Sequence, residues 1–287
     1  MGRAHDLDHC SAARPSSTGN LHRRTAPMQT IPDDVGSTVA RPVLDILRSA
    51  GEISRSWFDR GRLDVETKAD GSPVTRADRE TEGSLRDALT ALYPDDGIVG
   101  EEFGTVEGTS GDRWIIDPID GTKSFVHGVP LYANLLAHEV QGRIVFGAIN
   151  LPSLGVLVHA EIGRGCFRNG RRVSVSDRTD LAGAHVMATW LEDWPSEVIT
   201  RLHDRGAVLR TWGDAFGYAL VASGDVDALV DYTAQTYDLA PMPVIITEAG
   251  GRFTDLRGDD RFDSGHGIAT NGHIHGDVLR LVNEGIS

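Results

Sequence analysis

Residues 114–128 read Trp-Ile-Ile-Asp-Pro-Ile-Asp-Gly-Thr-Lys-Ser-Phe-Val-His-Gly, WIIDPIDGTKSFVHG. The apolar triplet Trp114-Ile115-Ile116 predicts a buried strand that stops at Asp117. Pro118 biases the backbone of Asp117 towards extended geometry. Asp120 follows three positions later, with Gly121, Thr122 and Lys123 behind it. A turn that offers two carboxylates and then loose backbone amides can hold cations and an anion side by side.

Outward from this turn the patterns change. Towards the N-terminus, Val39, Val43, Ile46, Leu47, Ile53, Trp57 and Phe58 recur at helical spacing and predict an amphipathic helix over residues 34–58, with Pro42 in or near its first turn. A second helix is expected over 77–92, with Leu85, Ala88, Leu89 and Leu92 on one face and Pro94-Asp95-Asp96 as its stop. Towards the C-terminus, residues 135–140, 144–149 and 156–160 are short apolar runs separated by Gly, Asn, Pro and Ser, and read as strands. Asn169-Gly170 is a hairpin turn. Beyond it we expect strands at 184–188, 228–230 and 268–270, and helices at 195–203, 214–222, 238–249 and 277–282, the third ending on Gly250-Gly251. Helices and strands fall in blocks rather than strict alternation, which predicts a layered α+β fold.

The 287 residues, 40% of them hydrophobic, suffice for one large core or two smaller ones. Lys and Arg total 28 against 42 Asp and Glu, a formal charge of −14, so a nucleic-acid partner is not expected. An acidic protein that handles an anion needs bound cations to reverse the local sign. Cys10 and Cys166 have no metal-ligand spacing and form no disulfide framework, which fits a reducing, cytoplasmic compartment. No stretch reaches the roughly 18–20 apolar residues of a membrane span. The first 30 residues are rich in Ser, Arg, Pro and Ala, lack the apolar core of a secretory signal, and are expected to form a disordered tail, with Met28 a candidate natural start. His266 and the pair His273 and His275 are expected to be solvated, and Asp255 to Asp263 lacks the spacing of a calcium loop.

Three acidic features stand at expected element ends: Gly100-Glu101-Glu102 after Ile98-Val99, the pair Asp117 and Asp120, and Tyr237-Asp238-Leu239-Ala240. Hard oxygen donors of this kind suit Mg²⁺ or Mn²⁺ better than zinc. Together with Pro73-Val-Thr-Arg-Ala-Asp78 and Glu248-Ala-Gly-Gly251, these motifs resemble the inositol monophosphatase superfamily of Mg²⁺-dependent, lithium-sensitive phosphatases, in the family's order and over residues 35 to the end.

The resemblance implies an αβαβα sandwich, with residues 31–287 forming one phosphatase domain of two αβ halves and the metals between them. It implies that Glu101, Asp117 and the carbonyl of Ile119 hold one ion, that Asp117, Asp120 and Asp238 hold a second, and that a third sits near Glu101. Asp120 and the amides of Gly121 and Thr122 would receive the phosphate. Asp78 and Thr122, with Glu101, would orient and deprotonate a water for in-line attack on phosphorus. Family members are commonly homodimers that act on small phosphate monoesters.

Two features depart from the inositol-phosphatase pattern. Tyr237-Asp-Leu-Ala-Pro241 replaces a Trp-Asp-x-Ala motif, and Pro241 and Pro243 reshape the helix after Asp238. Lys123 after Asp-Gly-Thr, together with Arg210-Thr-Trp-Gly-Asp-Ala-Phe-Gly-Tyr218, is similar to the histidinol-phosphatase branch. A carboxylate at Asp214 either pairs with the cationic amine of histidinol or caps the helix that begins there. Asp231, seven residues before Asp238, falls where the family has an acidic substrate contact. Histidinol phosphate, an intermediate of histidine biosynthesis, is therefore the expected substrate. Inositol-1-phosphate or another small monoester is the alternative, and an inert metal- and phosphate-binding regulator the least favoured reading.

Overall fold

The computed structural model describes residues 40–61, 65–67 and 73–284. The expected tail, Met28 and Cys10 lie outside the described residues, as does the stretch 34–39 of the first expected helix.

Helix α1 (Ala40–Phe58) leads through the paired strands β1 (Val65–Thr67) and β2 (Pro73–Thr75) into α2 (Arg76–Leu92). Thr75 caps α2: its hydroxyl accepts from the N–H of Ala77, while Asp78 at the third helical position reaches back to the N–H of Thr75. The chain then builds an eight-stranded sheet from β3 (Gly97–Gly100), β4 (Gly104–Val106), β5 (Arg113–Asp120), β6 (Ala133–Val140), β7 (Arg143–Leu151), β8 (Val156–Glu161), β9 (Gly165–Arg168) and β10 (Arg171–Val173), in the spatial order 10-9-8-7-6-5-3-4. A short helix α3 (Thr122–Val126) interrupts it after β5. The second sheet, of order 12-11-13-15-14, comprises β11 (His185–Ala188), β12 (Val208–Arg210), β13 (Ala228–Asp231), β14 (Arg252–Thr254) and β15 (Gly267–Thr270). Between these strands run α4 (Ser196–Asp204), α5 (Asp214–Ala222), α6 (Thr236–Leu239) and α7 (Met242–Glu248), and α8 (His275–Asn283) closes the chain.

Three hydrophobic clusters define five layers. Val43, Leu47, Leu85 and Leu89 of α1 and α2 pack on Trp114, Ile116, Leu136 and Phe146 from one face of the first sheet. The other face, with Ile115, Leu135 and Ile149, meets α5, α7 and the inner face of the second sheet through Met187, Leu229 and Ala269. The outer face of that sheet, with Val186, Val230 and Ile268, is covered by Val198 and Leu202 of α4 and Val278 and Leu281 of α8. The strict alternation of Trp114, Ile115 and Ile116 between the first two clusters is the period of two that a strand imposes. The result is the αβαβα sandwich, an α+β fold.

Several local expectations need correction. The strand of the opening motif does not stop at Asp117 but continues to Asp120. Asp117 pairs with Leu135 and Asp120 with Ala133, so β5 spends three steps where β6 spends two. Pro118 has no N–H to give the ladder, and its carbonyl instead accepts from Asn134 Nδ2 at 2.6 Å. The bulge keeps both aspartates on a rigid strand end. The helix expected over 238–249 is two helices, α6 and α7, broken at Ala240-Pro241, because neither Pro241 nor Pro243 can supply the N–H of a continuous helix. His275 is buried rather than solvated: its ring nitrogens face the hydroxyls of Thr254 and Thr270 at 3.0 and 3.1 Å, and burial pushes its pKa down to about 4.

Candidate functional site

Asp117 and Asp120 on the β5 bulge meet Asp238 from the first turn of α6, with a carboxylate oxygen of each within 4.8 Å of the others. One backbone N–H orients each carboxylate: Ile119 N–H donates to Asp117 at 2.9 Å, Ala215 N–H to Asp120 at 2.7 Å, and Gln235 N–H to Asp238 at 2.7 Å. Three separate elements therefore lock three acids against one point. Glu101, on the turn after β3, joins them in lining a cleft of about 440 Å³. Asp78 lies behind this wall rather than in it; Thr75 donates to its Oδ2 from both the backbone and the hydroxyl, at 2.8 and 2.6 Å. Among the described residues, the Asp78 Oδ1 is buried without a hydrogen-bond partner.

A backbone N–H to each of the three, and the hydrogen bond that Asp117 and Asp238 share, do not neutralise so many buried charges. Burial, and then the charges of Glu101, Asp120 and Asp238, push Asp117 well above the usual carboxylate range. Asp120 is pushed well up by burial and by Asp214 and Asp238. Burial raises Asp238 to about 7, with Glu101 adding to the effect against the bond from Gln235. Asp78 is raised to about 6 by burial and Glu101 against its bonds to Thr75. Carboxylates arranged to repel one another in a buried cleft fit hard divalent cations, which would restore their ionised forms. Glu101, Asp117, Asp120, Asp238 and the Ile119 carbonyl form a suitable donor set. That carbonyl already accepts the Thr122 hydroxyl at 3.0 Å, and a carbonyl oxygen has a second lone pair.

The chain leaves the bulge through Gly121, whose φ of 77° and whose closeness to Asp214 both disfavour a side chain: a Cβ there would lie 3.1 Å from Asp214 Oδ2. Thr122 then opens α3, whose first N–H groups have no intrahelical acceptor. The Lys123 ammonium lies 3.7 Å from the centroid of the Trp190 ring, across the cleft wall. Asp214 also lines the cleft and makes no side-chain cap; Gly213 is the residue before α5, and Asp214 is its first residue. Its φ of 50° is unusual for a residue with a side chain, and the hydroxyl of Thr189 accepts its N–H at 2.8 Å. Burial and the charge of Asp231 raise Asp214 to about 7, opposed by Lys123. Asp231 itself does not line the cleft. It sits beneath, at the end of β13, accepting the Tyr218 hydroxyl at 2.8 Å, with its pKa raised to about 6 by burial.

Sequence reading passed over Thr189, Trp190 and His127, which also line the cleft. Trp190 follows β11 in a loop with no pattern to single it out, whereas His127 stood inside the opening motif, its ring Nδ1 2.8 Å from the Lys123 carbonyl oxygen.

The layered α+β fold and an acidic, cation-fitting cleft define a class of metal-dependent proteins. Residues 37–287 match the sequence profile of the inositol monophosphatase family, and the chain belongs to that family. It is similar to a histidinol-phosphatase of Chlorobaculum parvum, 41% identical over 81% of this chain and 92% of the relative. It is also similar to one of Mycobacterium tuberculosis, 38% identical over 82% and 94%. Among solved structures, the extragenic suppressor protein suhB of Bartonella henselae superposes with a TM-score of 0.81 at 30% identity, covering 87% of this chain and all of that one. Among the described residues no helix is long and apolar enough to cross a membrane.

Proposed function

We propose that the protein is a Mg²⁺-dependent phosphomonoesterase whose substrate is histidinol phosphate. The observation that carries the reaction class is the set of Asp117, Asp120 and Asp238, each aimed by one backbone N–H at a common point and left repelling its neighbours. Divalent cations bound there would supply an activated water and neutralise charge on the attacking and leaving oxygens. Glu101, Asp117, Asp120, Asp238 and the Ile119 carbonyl hold two or three such ions, with Mn²⁺ an adequate substitute. Asp120 fixes the turn from which the N–H groups of Gly121 and Thr122 receive the phosphate. Asp78, whose buried Oδ1 has no hydrogen-bond partner among the described residues, would take up a proton, with the Thr122 hydroxyl orienting the water.

The substrate assignment rests on Asp214. Its carboxylate abuts Gly121, next to the phosphate end of the cleft, and its backbone is held in a strained conformation that a mere helix cap does not need. It is placed to pair with the amine of histidinol, while Lys123, its ammonium over the Trp190 ring, is the cation we assign to the substrate. Asp231 lies outside the cleft lining and acts on Asp214 through its charge. The names of the two similar histidinol-phosphatases support the same substrate. The acidic composition and the buried free thiol of Cys166 accord with a cytoplasmic enzyme, and a homodimer is the assembly we infer for it.

Phosphate release from histidinol phosphate and from inositol-1-phosphate, measured side by side with Mg²⁺, tests the assignment. We expect kcat/KM to favour histidinol phosphate by about tenfold or more, roughly 1.4 kcal/mol of transition-state stabilisation. Equal or reversed preference overturns the reading of Lys123 and Asp214 and leaves a phosphatase whose substrate is another small monoester. Release from neither, nor from any generic ester, leaves only an inert binding protein.

A further inference from the structure

Glu82, on α2, is a fully buried carboxylate that lies outside the cleft and has no place in the chemistry above. Its acceptors are filled by the turn that carries Glu101. Glu102 N–H donates to Oε2 at 2.7 Å and Phe103 N–H to Oε1 at 3.1 Å, and Arg86 Nε donates to Oε1 at 2.7 Å. Arg86 also donates to the Gly104 carbonyl and lies over the Phe103 ring, 5.9 Å from its centroid. On the near side of the turn, a Cβ on Gly100 would collide with the Glu82 carboxylate and lie 2.7 Å from Arg86. Residues 100, 102, 103 and 104 are thus all fitted to one side-chain pair, and Glu101, in their midst, lines the cleft.

We propose that Glu82 is a positioning residue for the cation site: it fixes the Gly100–Phe103 turn so that Glu101 is presented to Asp117 and Asp238. A buried carboxylate tolerates desolvation when charge-assisted bonds satisfy it, and here two of its three donors are the backbone amides just after Glu101. A buried ion pair holds a short turn with no hydrophobic core of its own, since Glu102 is half-buried and Phe103 is 52% exposed. This inference rests on the reading of Glu101 as a cation donor.

The test is calorimetric Mg²⁺ titration of the full-length protein after EDTA stripping, in the wild type, Glu82→Gln, Glu101→Gln and the double variant, with melting temperatures recorded in EDTA. Gln at 82 keeps the volume but turns a donor towards a turn that needs acceptors. We expect Glu82→Gln to weaken Mg²⁺ affinity by about tenfold or more. At saturating Mg²⁺ its KM for substrate stays within about twofold of wild type, the margin expected when substrate contacts are untouched. If Glu82 acts through Glu101, its substitution adds no further loss in the Glu101→Gln background. Wild-type affinity in Glu82→Gln, or losses that add in full, overturns the proposal. Wild-type affinity in Glu101→Gln instead overturns the reading of Glu101 beneath it. Should Glu82→Gln not fold, Gly100→Ala displaces the same carboxylate without removing it and must weaken Mg²⁺ binding in the same way; unchanged binding there overturns the proposal.

Discussion

Strand β13 has a buried aspartate at each end, and the two have opposite surroundings. Asp227, just before the strand, accepts the Ser176 hydroxyl at 2.6 Å and the His185 N–H at 2.8 Å, and lies 3.3 Å from the Arg178 guanidinium. Asp231, at the far end, faces the acidic side of the molecule. It accepts the Tyr218 hydroxyl, and its charge raises the pKa values of Asp214, Asp120 and Asp238. Residue type, strand and burial are the same at both ends. What differs is the charge nearby: the Arg178 guanidinium faces Asp227, whereas Asp231 stands beneath the acidic group of Asp120, Asp214 and Asp238.

The largest way to break this comparison is to neutralise one member of each group. Asp117→Asn should lower kcat/KM by about a thousandfold or more, as removal of a divalent-ion ligand forfeits several kcal/mol of charge stabilisation. The same substitution should raise the melting temperature in EDTA, because a repelling charge is gone. Asp227→Asn should do the reverse, losing about 1–3 kcal/mol in urea denaturation while kcat/KM per folded molecule stays unchanged.

Stability against pH sharpens the same contrast. Asp214 and Asp238 are raised to about 7, and Asp117 and Asp120 are raised well above their ordinary value. Their folded forms bind more protons than the unfolded chain, whose carboxyls titrate near pH 4. The metal-free protein therefore loses stability as pH rises from about 4 through about 7. The buried His159 and His275, lowered to about 4, act in the opposite sense, but only below the ordinary histidine value of about 6.5. Melting temperatures in EDTA should therefore fall between about pH 6.5 and pH 8, and saturating Mg²⁺ should abolish the fall.

A smaller effect is expected one step from the cluster. Asp214→Asn should raise KM for histidinol phosphate by about tenfold, or 1.4 kcal/mol, and leave that for inositol-1-phosphate unchanged. The smallest belongs to the exposed pair Arg168–Asp225, 2.8 Å apart. Arg168→Ala should leave activity unchanged and shift stability by less than about 1 kcal/mol.

Much of this was legible in the sequence because period and punctuation agree there. The helix α5 begins at Asp214 and ends at Ala222 as read, since Gly213 and Ser223-Gly224 frame a mostly apolar run. The short strands β12 and β14 were missed: three residues carry no measurable alternation, and both exist only because neighbouring strands complete them. The bulge at Pro118 was missed because it depends on the Asn134 side chain, sixteen residues away. At the site, motif carboxylates announce themselves by type and spacing. Trp190 and Glu82 do not, since each matters through a partner that only the fold supplies.

The most direct test of the central claim is phosphate release from histidinol phosphate by EDTA-stripped protein as Mg²⁺ is titrated in. The acidic cluster predicts no release at the start and a saturable rise with Mg²⁺. Release that is already complete before Mg²⁺ is added, or absent at saturation, would contradict it.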